Sequence, residues 1–246
     1  MQSFREMRKM AFMNLFYTTE IDGRRASLPE EEARHCVQVL RHRVGDEVHL
    51  IDGKGGFYRG DIVEAGKKHC VVQIEEAQQE YGKRAYRIHL VVAPTKNNSR
   101  LEWLLEKATE IGIDEITPVY CAHSERRVVK PARLEKVLLS ATKQSLKAYL
   151  PQLHPMLPFP DFLDTLSSGQ QKYIAYLGDG VKGSLKDNYR PGTDVCILVG
   201  PEGGFSPEEA EMAMAKGFQP VSLGPSRLRT ETAGLAAVHT IQLMNQ

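Results

Sequence analysis

Leu198-Val199-Gly200-Pro201-Glu202-Gly203-Gly204-Phe205-Ser206-Pro207-Glu208-Glu209 is the stretch on which the reading of the fold turns. It ends an uninterrupted apolar strand, Val195 to Val199, of the kind buried on both faces in parallel sheets. It then opens a helix, because Ser206 suits an N-cap, Pro207 the first helical position and Glu209 the capping-box acid. Between them lies a loop with three glycines in five positions, Gly200, Gly203 and Gly204, which permits positive φ and close approach of a ligand to the main chain. An ordinary tight strand-to-helix turn uses such glycines too.

Outward from this unit the strand-then-helix pattern repeats. Upstream, Ile88 to Ala93 reads as a strand, and Ser99-x-x-Glu102 as a capping box for a helix carrying Leu101, Leu104, Leu105, Ala108 and Ile111 on one face, stopped by Gly112. Glu115 to Tyr120 reads as a strand, Pro131 to Leu150 as a long helix and Tyr173 to Leu177 as a strand. Downstream come a short strand at Val221 to Leu223 and a closing helix from Thr230 to Met244. This alternation predicts an α/β domain over residues 83–246 with a mostly parallel sheet.

Residues 1–82 read differently. One helix, opened at Leu28-Pro29-Glu30, carries Ala33, Cys36, Val37 and Leu40 at helical spacing and ends by Gly45. Strands follow at Glu47 to Ile51, Phe57 to Val63 and His69 to Ile74, separated by glycine turns, and the polar run Glu75 to Arg84 reads as a linker. A small β-barrel or meander domain is expected there.

Composition excludes several classes. With 41% hydrophobic and 26% charged residues the chain resembles ordinary globular proteins, and no apolar run approaches the ~18 residues of a membrane span. Met1 to Phe12 is too short and too charged for a secretory signal, so the expected location is the cytoplasm. Cys36, Cys70, Cys121 and Cys196 form no Cys-x-x-Cys pair, and the eight histidines form no His-x-His or His-x-x-x-His pair, so buried free thiols and no metal are expected. The net charge of +1 hides an excess in residues 83–150, thirteen basic against seven acidic. Arg126, Arg127, Lys130 and Arg133 lie in its densest part, which suits either a bound polyanion or a solvated helix face.

Two phosphate motifs fail on inspection. No Lys-Ser/Thr follows the glycines as a P-loop requires, and Glu208 and Glu209 occupy the helix N-terminus where a phosphate would sit. Gly178-x-Gly180-x-x-Gly183 matches the dinucleotide fingerprint, but the next turn, Pro191-Gly192, comes too soon for the crossover helix. A second loop, Leu223-Gly224-Pro225-Ser226-Arg227-Leu228-Arg229-Thr230-Glu231-Thr232-Ala233, combines arginines, a carboxylate and hydroxyls. It suits recognition of a polar planar group, or a solvated helix entrance capped by Thr230.

Taken together, LVGPEGGFSPEE, LGPSRLRTETA and the upstream RLEWLLEKATEIG…ITPV resemble the RsmE family, the 16S rRNA uracil-N3 methyltransferases of the SPOUT class. The resemblance runs from Asn14-Leu15-Phe16 through His35…Val39-Leu40-Arg41 to the last helix. It implies a PUA-like RNA-binding barrel followed by a SPOUT α/β domain with a trefoil knot, and a homodimer acting on 16S ribosomal RNA or the small ribosomal subunit. It also implies S-adenosylmethionine held by Leu177-Gly178, by Val199, Gly200, Glu202, Gly203 and Gly204, and by Leu223, Gly224, Leu228, Thr230, Thr232 and Ala233. Arg229 and Glu231 are the candidates for contacting the target base, and Arg41, Arg126, Arg127, Lys130 and Arg133 for contacting RNA phosphates. Val238, Ile241 and Leu243 are candidates for a dimer interface. The chain departs from the family pattern at Asn14 and at Lys143-Gln144-Ser145-Leu146-Lys147, and Met13 is the expected first residue. A non-catalytic RNA-binding protein of the same fold is the alternative, and a titration with S-adenosylmethionine separates the two.

Overall fold

The computed structural model describes residues 13–166, 168–178, 181 and 183–246. The readings on Met1 to Phe12, a start at Met13 and no secretory signal, fall outside the described residues. The chain divides into two compact units, one of residues up to Lys83 together with Thr142–Leu150, the other of Arg84–Ala141 and Pro151–Gln246.

The first unit is a curled six-stranded sheet. In chain order it comprises β1 (Leu15–Tyr17), β2 (Glu20–Asp22), β3 (Arg25–Ser27), α1 (Glu30–Arg34), β4 (Glu47–Ile51), β5 (Phe57–Ala65) and β6 (Cys70–Gln78). The strand order is β1-β4-β5-β6-β3-β2, antiparallel except where β1 meets β4. Register shifts at Arg59/Gly60 and Ile62/Glu64 insert the bulges that bend long strands. At Gly60 a Cβ would lie 2.2 Å from the Gln73 carbonyl oxygen, so the crossing demands glycine. Phe16, Leu50, Ile62 and Val72 fill the interior against Ala33 and Cys36 of the helical segment.

That helical segment differs from the expected one. After Arg34 it widens into a π turn, His35–Val39, closed by Leu40 N–H to the His35 carbonyl at 3.0 Å, and it stops at Arg41, whose φ is 62°. The extra residue in the turn rotates the face that follows. Cys36 stays buried, but Val39 and Leu40 are 63% and 37% exposed, so Leu40 is not a core residue and the helix does not reach Gly45. The expected linker is also shorter, because β6 continues to Gln78.

The second unit holds β7 (Ile88–Val92), α2 (Asn98–Ile111), β8 (Glu115–Tyr120), the start of α3 (Pro131–Gln144), β9 (Gln152–Leu153), β10 (Leu157–Pro158), α4 (Phe159–Asp164) and β11 (Gln171–Ala175). It continues with α5 (Leu185–Asn188), β12 (Val195–Val199), α6 (Pro207–Ala215), β13 (Gln219–Val221) and α7 (Thr230–Met244). Its sheet runs β10-β8-β7-β12-β11-β13, with β9 on β8, and every pairing is parallel. All five residues of β12 are buried, as its apolar run predicts. α7 packs on α2, β7 and β12, and Gly234 faces α2, where an added Cβ would stand 3.0 Å from Leu104. Val238 and Ile241 are fully buried in this chain's own core, so they are not interface residues; Leu243 is 57% exposed. The cap of α2 is Asn97, which accepts from the Ser99 amide at 2.9 Å, rather than a Ser99/Glu102 box.

The expected helix over 131–150 ends at Gln144, since Leu146 takes a φ of 54°, and the remainder joins the first unit. There Leu146 and Ala148 pack with Leu15, Ile51, Phe57 and Tyr81. Leu150 N–H donates to Gly53 O and Gly55 N–H to Ala148 O, each at 3.0 Å. Lys143 Nζ donates at 2.5 Å to Glu32, a buried carboxylate that also accepts the Tyr17 amide. Removing one partner of such a pair strands the other charge. Lys143→Met should therefore cost about 3 kcal/mol of stability, read by urea unfolding; a change near zero would mean water reaches Glu32.

Candidate active site

The C-terminal ends of β11, β12 and β13 open onto a cavity of about 670 Å³. Crevices at the carboxyl ends of parallel strands are where α/β sheets bind ligands. Three loops wall it: Ala175 to Gly178 after β11, Val199 to Phe205 after β12, and Val221 to Ala233 after β13. Of the residues expected around the cofactor, Leu177, Gly178, Val199, Gly200, Glu202, Gly203, Gly204, Leu223, Gly224, Leu228, Thr230 and Ala233 line it. Thr232 does not, and is exposed on the far side of the first turn of α7.

Each loop is held by bonds that the sequence pattern does not reveal. Ser206 and Glu209 form the expected capping box on α6, but Glu209 does more: its Oε1 accepts the Ala122 amide at 2.7 Å while Oε2 accepts that of Ser206 at 2.9 Å. One buried carboxylate thus joins the loop after β8 to the glycine loop. Glu202 accepts the Lys96 amide at 3.1 Å, which makes it an organiser of the loops as well as a wall of the cavity. His123 Nδ1 donates to Gly204 O at 3.1 Å. Gly204 takes a φ of 75°, and a Cβ on Gly203 would stand 2.9 Å from His123 Cβ, so two glycines are required before any ligand is considered. Thr230 hydroxyl donates to Gly200 O at 3.0 Å, tying the third loop to the second; Thr230 is not the N-cap of α7, which falls at Arg229.

The two candidates for the target base part company. Arg229 is exposed and lines the cavity. Glu231 is 8% exposed and absent from the cavity wall; its Oε1 lies 3.7 Å from Arg100 Nε of α2, and its buried Oε2 has no hydrogen-bond partner among the described residues. The basic candidates divide as well. Arg126 is committed to main chain, with Nη2 donating to Lys96 O at 2.7 Å and Nε to Thr95 O at 3.2 Å, and Arg133 is paired with Glu102 at 2.6 Å. Arg127, stacked 5.6 Å over the Tyr120 ring, and Lys130 are exposed, as is Arg41 in the first unit.

The expected loops, Leu177-Gly178, Val199 to Gly204 and Leu223 to Ala233, leave out Ala175, Tyr176, Phe205 and Val221, which also line the cavity. Placing the β11 strand two residues late hid Tyr176. Chemically the cavity offers glycine main chain and apolar walls at Leu177, Val199, Val221, Leu223 and Leu228. The adjoining helix start is anionic: hydrogen bonds from its own amide and from Ser206 hold the Glu208 carboxyl below the usual range. That set suits an adenine ring and a thioether, and opposes a polyphosphate.

Residues 82–242 match the family model of the RNA methyltransferase domain, and residues 28–75 that of the RNA methyltransferase PUA domain. The crystal structure of a probable rRNA-methyltransferase from Porphyromonas gingivalis is similar, with 43% identity and a TM-score of 0.87 over 95% of this chain and 98% of that one. A ribosomal RNA small subunit methyltransferase E from Neisseria gonorrhoeae, solved bound to S-adenosyl methionine, has 30% identity and a TM-score of 0.84 over the same shares. The protein of that name from Synechocystis sp. is 28% identical over 96% of this chain and 78% of its own length. With both domains matched and a shared fold along nearly its whole length, the chain belongs to the ribosomal RNA small subunit methyltransferase E family, the RsmE family of SPOUT RNA methyltransferases.

Proposed function

We propose that the chain transfers the methyl group of S-adenosylmethionine to N3 of one uridine in 16S ribosomal RNA, acting as a cytoplasmic homodimer with the knotted strand arrangement of its class. The observation that carries this reading is the cavity formed by three glycine-containing loops with Arg229 at its wall. The residues present fit the cofactor: main chain of Gly200 to Gly204 and Leu223 to Gly224 to hold polar edges, and Leu177, Val199 and Val221 to enclose apolar ones. When bound, S-adenosylmethionine supplies an electrophilic methyl whose sulfur departs as a neutral thioether, so the transfer itself calls for no metal. The protein's task is to position the base and ease loss of the N3 proton. Arg229, a guanidinium on the cavity wall, stabilises in this reading the negative charge that the uracil carbonyl oxygens gain as that proton leaves. Glu231, facing α2 rather than the cavity, supports the start of α7.

RNA is held, in this reading, by exposed cations of both units: Arg41, Arg127 and Lys130. Arg126 and Arg133 serve the fold instead. Replacing Arg127 and Lys130 by alanine should lower the slope of log affinity against log salt by about one for each lost phosphate contact, with cofactor affinity unchanged. Arg126→Ala should instead weaken cofactor binding, because it frees the Thr95 and Lys96 carbonyls beside Glu202. An unchanged salt slope in the first variant would move the RNA surface elsewhere.

Two measurements test the whole. Calorimetry with S-adenosylmethionine separates an enzyme from a binding protein that has lost turnover, and mass spectrometry of 16S rRNA from a deletion strain should show one unmethylated uridine. An intact methylation pattern would overturn the assignment. Light scattering tests the dimer, and a fully active monomer at micromolar concentration would contradict it.

A further inference from the structure

At the opposite end of the sheet from the cavity, three side chains converge that the methyl transfer does not use. His89 and Glu115 are register partners on the parallel strands β7 and β8. His154 stands two residues beyond Gln152, the partner of Glu115 on β9, so all three project from one face of the sheet. His154 Nε2 is 2.8 Å from Glu115 Oε2, the two imidazole rings are 5.5 Å apart, and the ligand-capable atoms of all three lie within 4.8 Å of one another. Phe162 of α4 closes over His89 edge-on at 5.9 Å, and Thr117 hydroxyl lies 2.8 Å from His89 Nε2.

We propose that His89, Glu115 and His154 form a binding site for a divalent transition metal, zinc by ligand type, that braces β7, β8 and β9. Two imidazoles and one carboxylate with an open fourth position for water make a common zinc ligand set. Tetrahedral Zn–N and Zn–O bonds of about 2.0–2.2 Å put ligand atoms about 3.4 Å apart, so the His154–Glu115 pair at 2.8 Å must open slightly and the wider separations, up to 4.8 Å, must close. Arg87 pairs with Glu115 Oε1 at 3.0 Å, and Oε2, which meets His154 Nε2, is the oxygen offered to the metal. As the ion binds, it releases the water ligands that the three side chains replace, and the hydrogen between His154 and Glu115 is lost to solvent or moves to the other ring nitrogen.

This inference is independent of the methyltransferase reading, because the cavity lies at the other edge of the sheet. The test uses the full chain stripped with a chelator and titrated with Co²⁺, whose visible d–d bands report low-coordinate N/O ligation, followed by Zn²⁺. One Co²⁺ per chain with an intense visible band, displaced by Zn²⁺, is expected. The band should vanish in His89→Ala and His154→Gln and bind at least tenfold more weakly in Glu115→Gln, while S-adenosylmethionine affinity stays as in the unmodified chain. His154→Gln keeps the side-chain volume and guards against a folding defect at His89. Absence of a band, or a band that survives in both histidine variants, would overturn the site.

Discussion

Replacing Arg229 with alanine is expected to lower the single-turnover methylation rate by about a hundredfold or more, the scale of losing one charge-stabilising donor from an active site. Neutral uridine holds its N3 proton too firmly to attack a methyl group, so the rate depends on stabilising the anion. Arg229 is the candidate on the cavity wall that carries a permanent positive charge there together with Arg227. Glu231→Gln should cost far less, because the carboxylate lies toward Arg100 and does not line the cavity, and a neutral amide removes a buried charge one of whose oxygens has no hydrogen-bond partner among the described residues. The measurement is a quenched reaction at saturating cofactor and RNA. If Glu231→Gln loses more rate than Arg229→Ala, a base rather than a cation governs the step and the two roles must be exchanged.

The second large effect is expected at Gly203. Gly203 lines the cavity, and a valine there presses His123 Cβ, which an added Cβ would meet at 2.9 Å. Where it falls on the cofactor-bound form, overpacking of about 1–3 kcal/mol corresponds to roughly a five- to 150-fold loss of S-adenosylmethionine affinity. Because two neighbours compete for the same space, a double variant decides between them. In a His123→Gly background the clash with the protein is gone, and affinity should remain low if the valine occupies cofactor space. Full recovery would make Gly203 a packing glycine; unchanged affinity in the folded single variant would remove the loop from the binding site.

The parts of the second unit that were legible in the sequence are those where local chemistry and tertiary context agree. β8, β12 and α7 fall where periodicity puts them, and the capping box on α6 is present with both its hydrogen bonds. The short strands β9 and β10 and the helices α4 and α5 carry too few residues for a period to register, while β13 is present two residues before the expected Val221 to Leu223. In the first unit the π turn after Arg34 defeats a count made at 3.6 residues per turn. The cavity loops were legible because glycine clusters after apolar strands mark a close approach to main chain. The braces were not: Ala122 with Glu209 and Lys96 with Glu202 join residues far apart in sequence, through backbone groups that leave no trace in residue type. The same limit hid the histidine pair, since His89, Glu115 and His154 meet only through the register of β7, β8 and β9, whereas ligand spacing along the chain looks for neighbours.

The return of residues 142–150 to the first unit sets an order on synthesis. When Lys83 leaves the ribosome, the six strands of that unit are all present, yet Leu15 and Ile51 still lack the cover of Leu146 and Ala148, and Glu32 lacks its lysine. The nascent unit must therefore wait, with an apolar patch open, until β7, α2, β8 and most of α3 have followed. Its final closure belongs to the middle of translation rather than the beginning, and a fragment cut at Lys83 would keep that patch open for good.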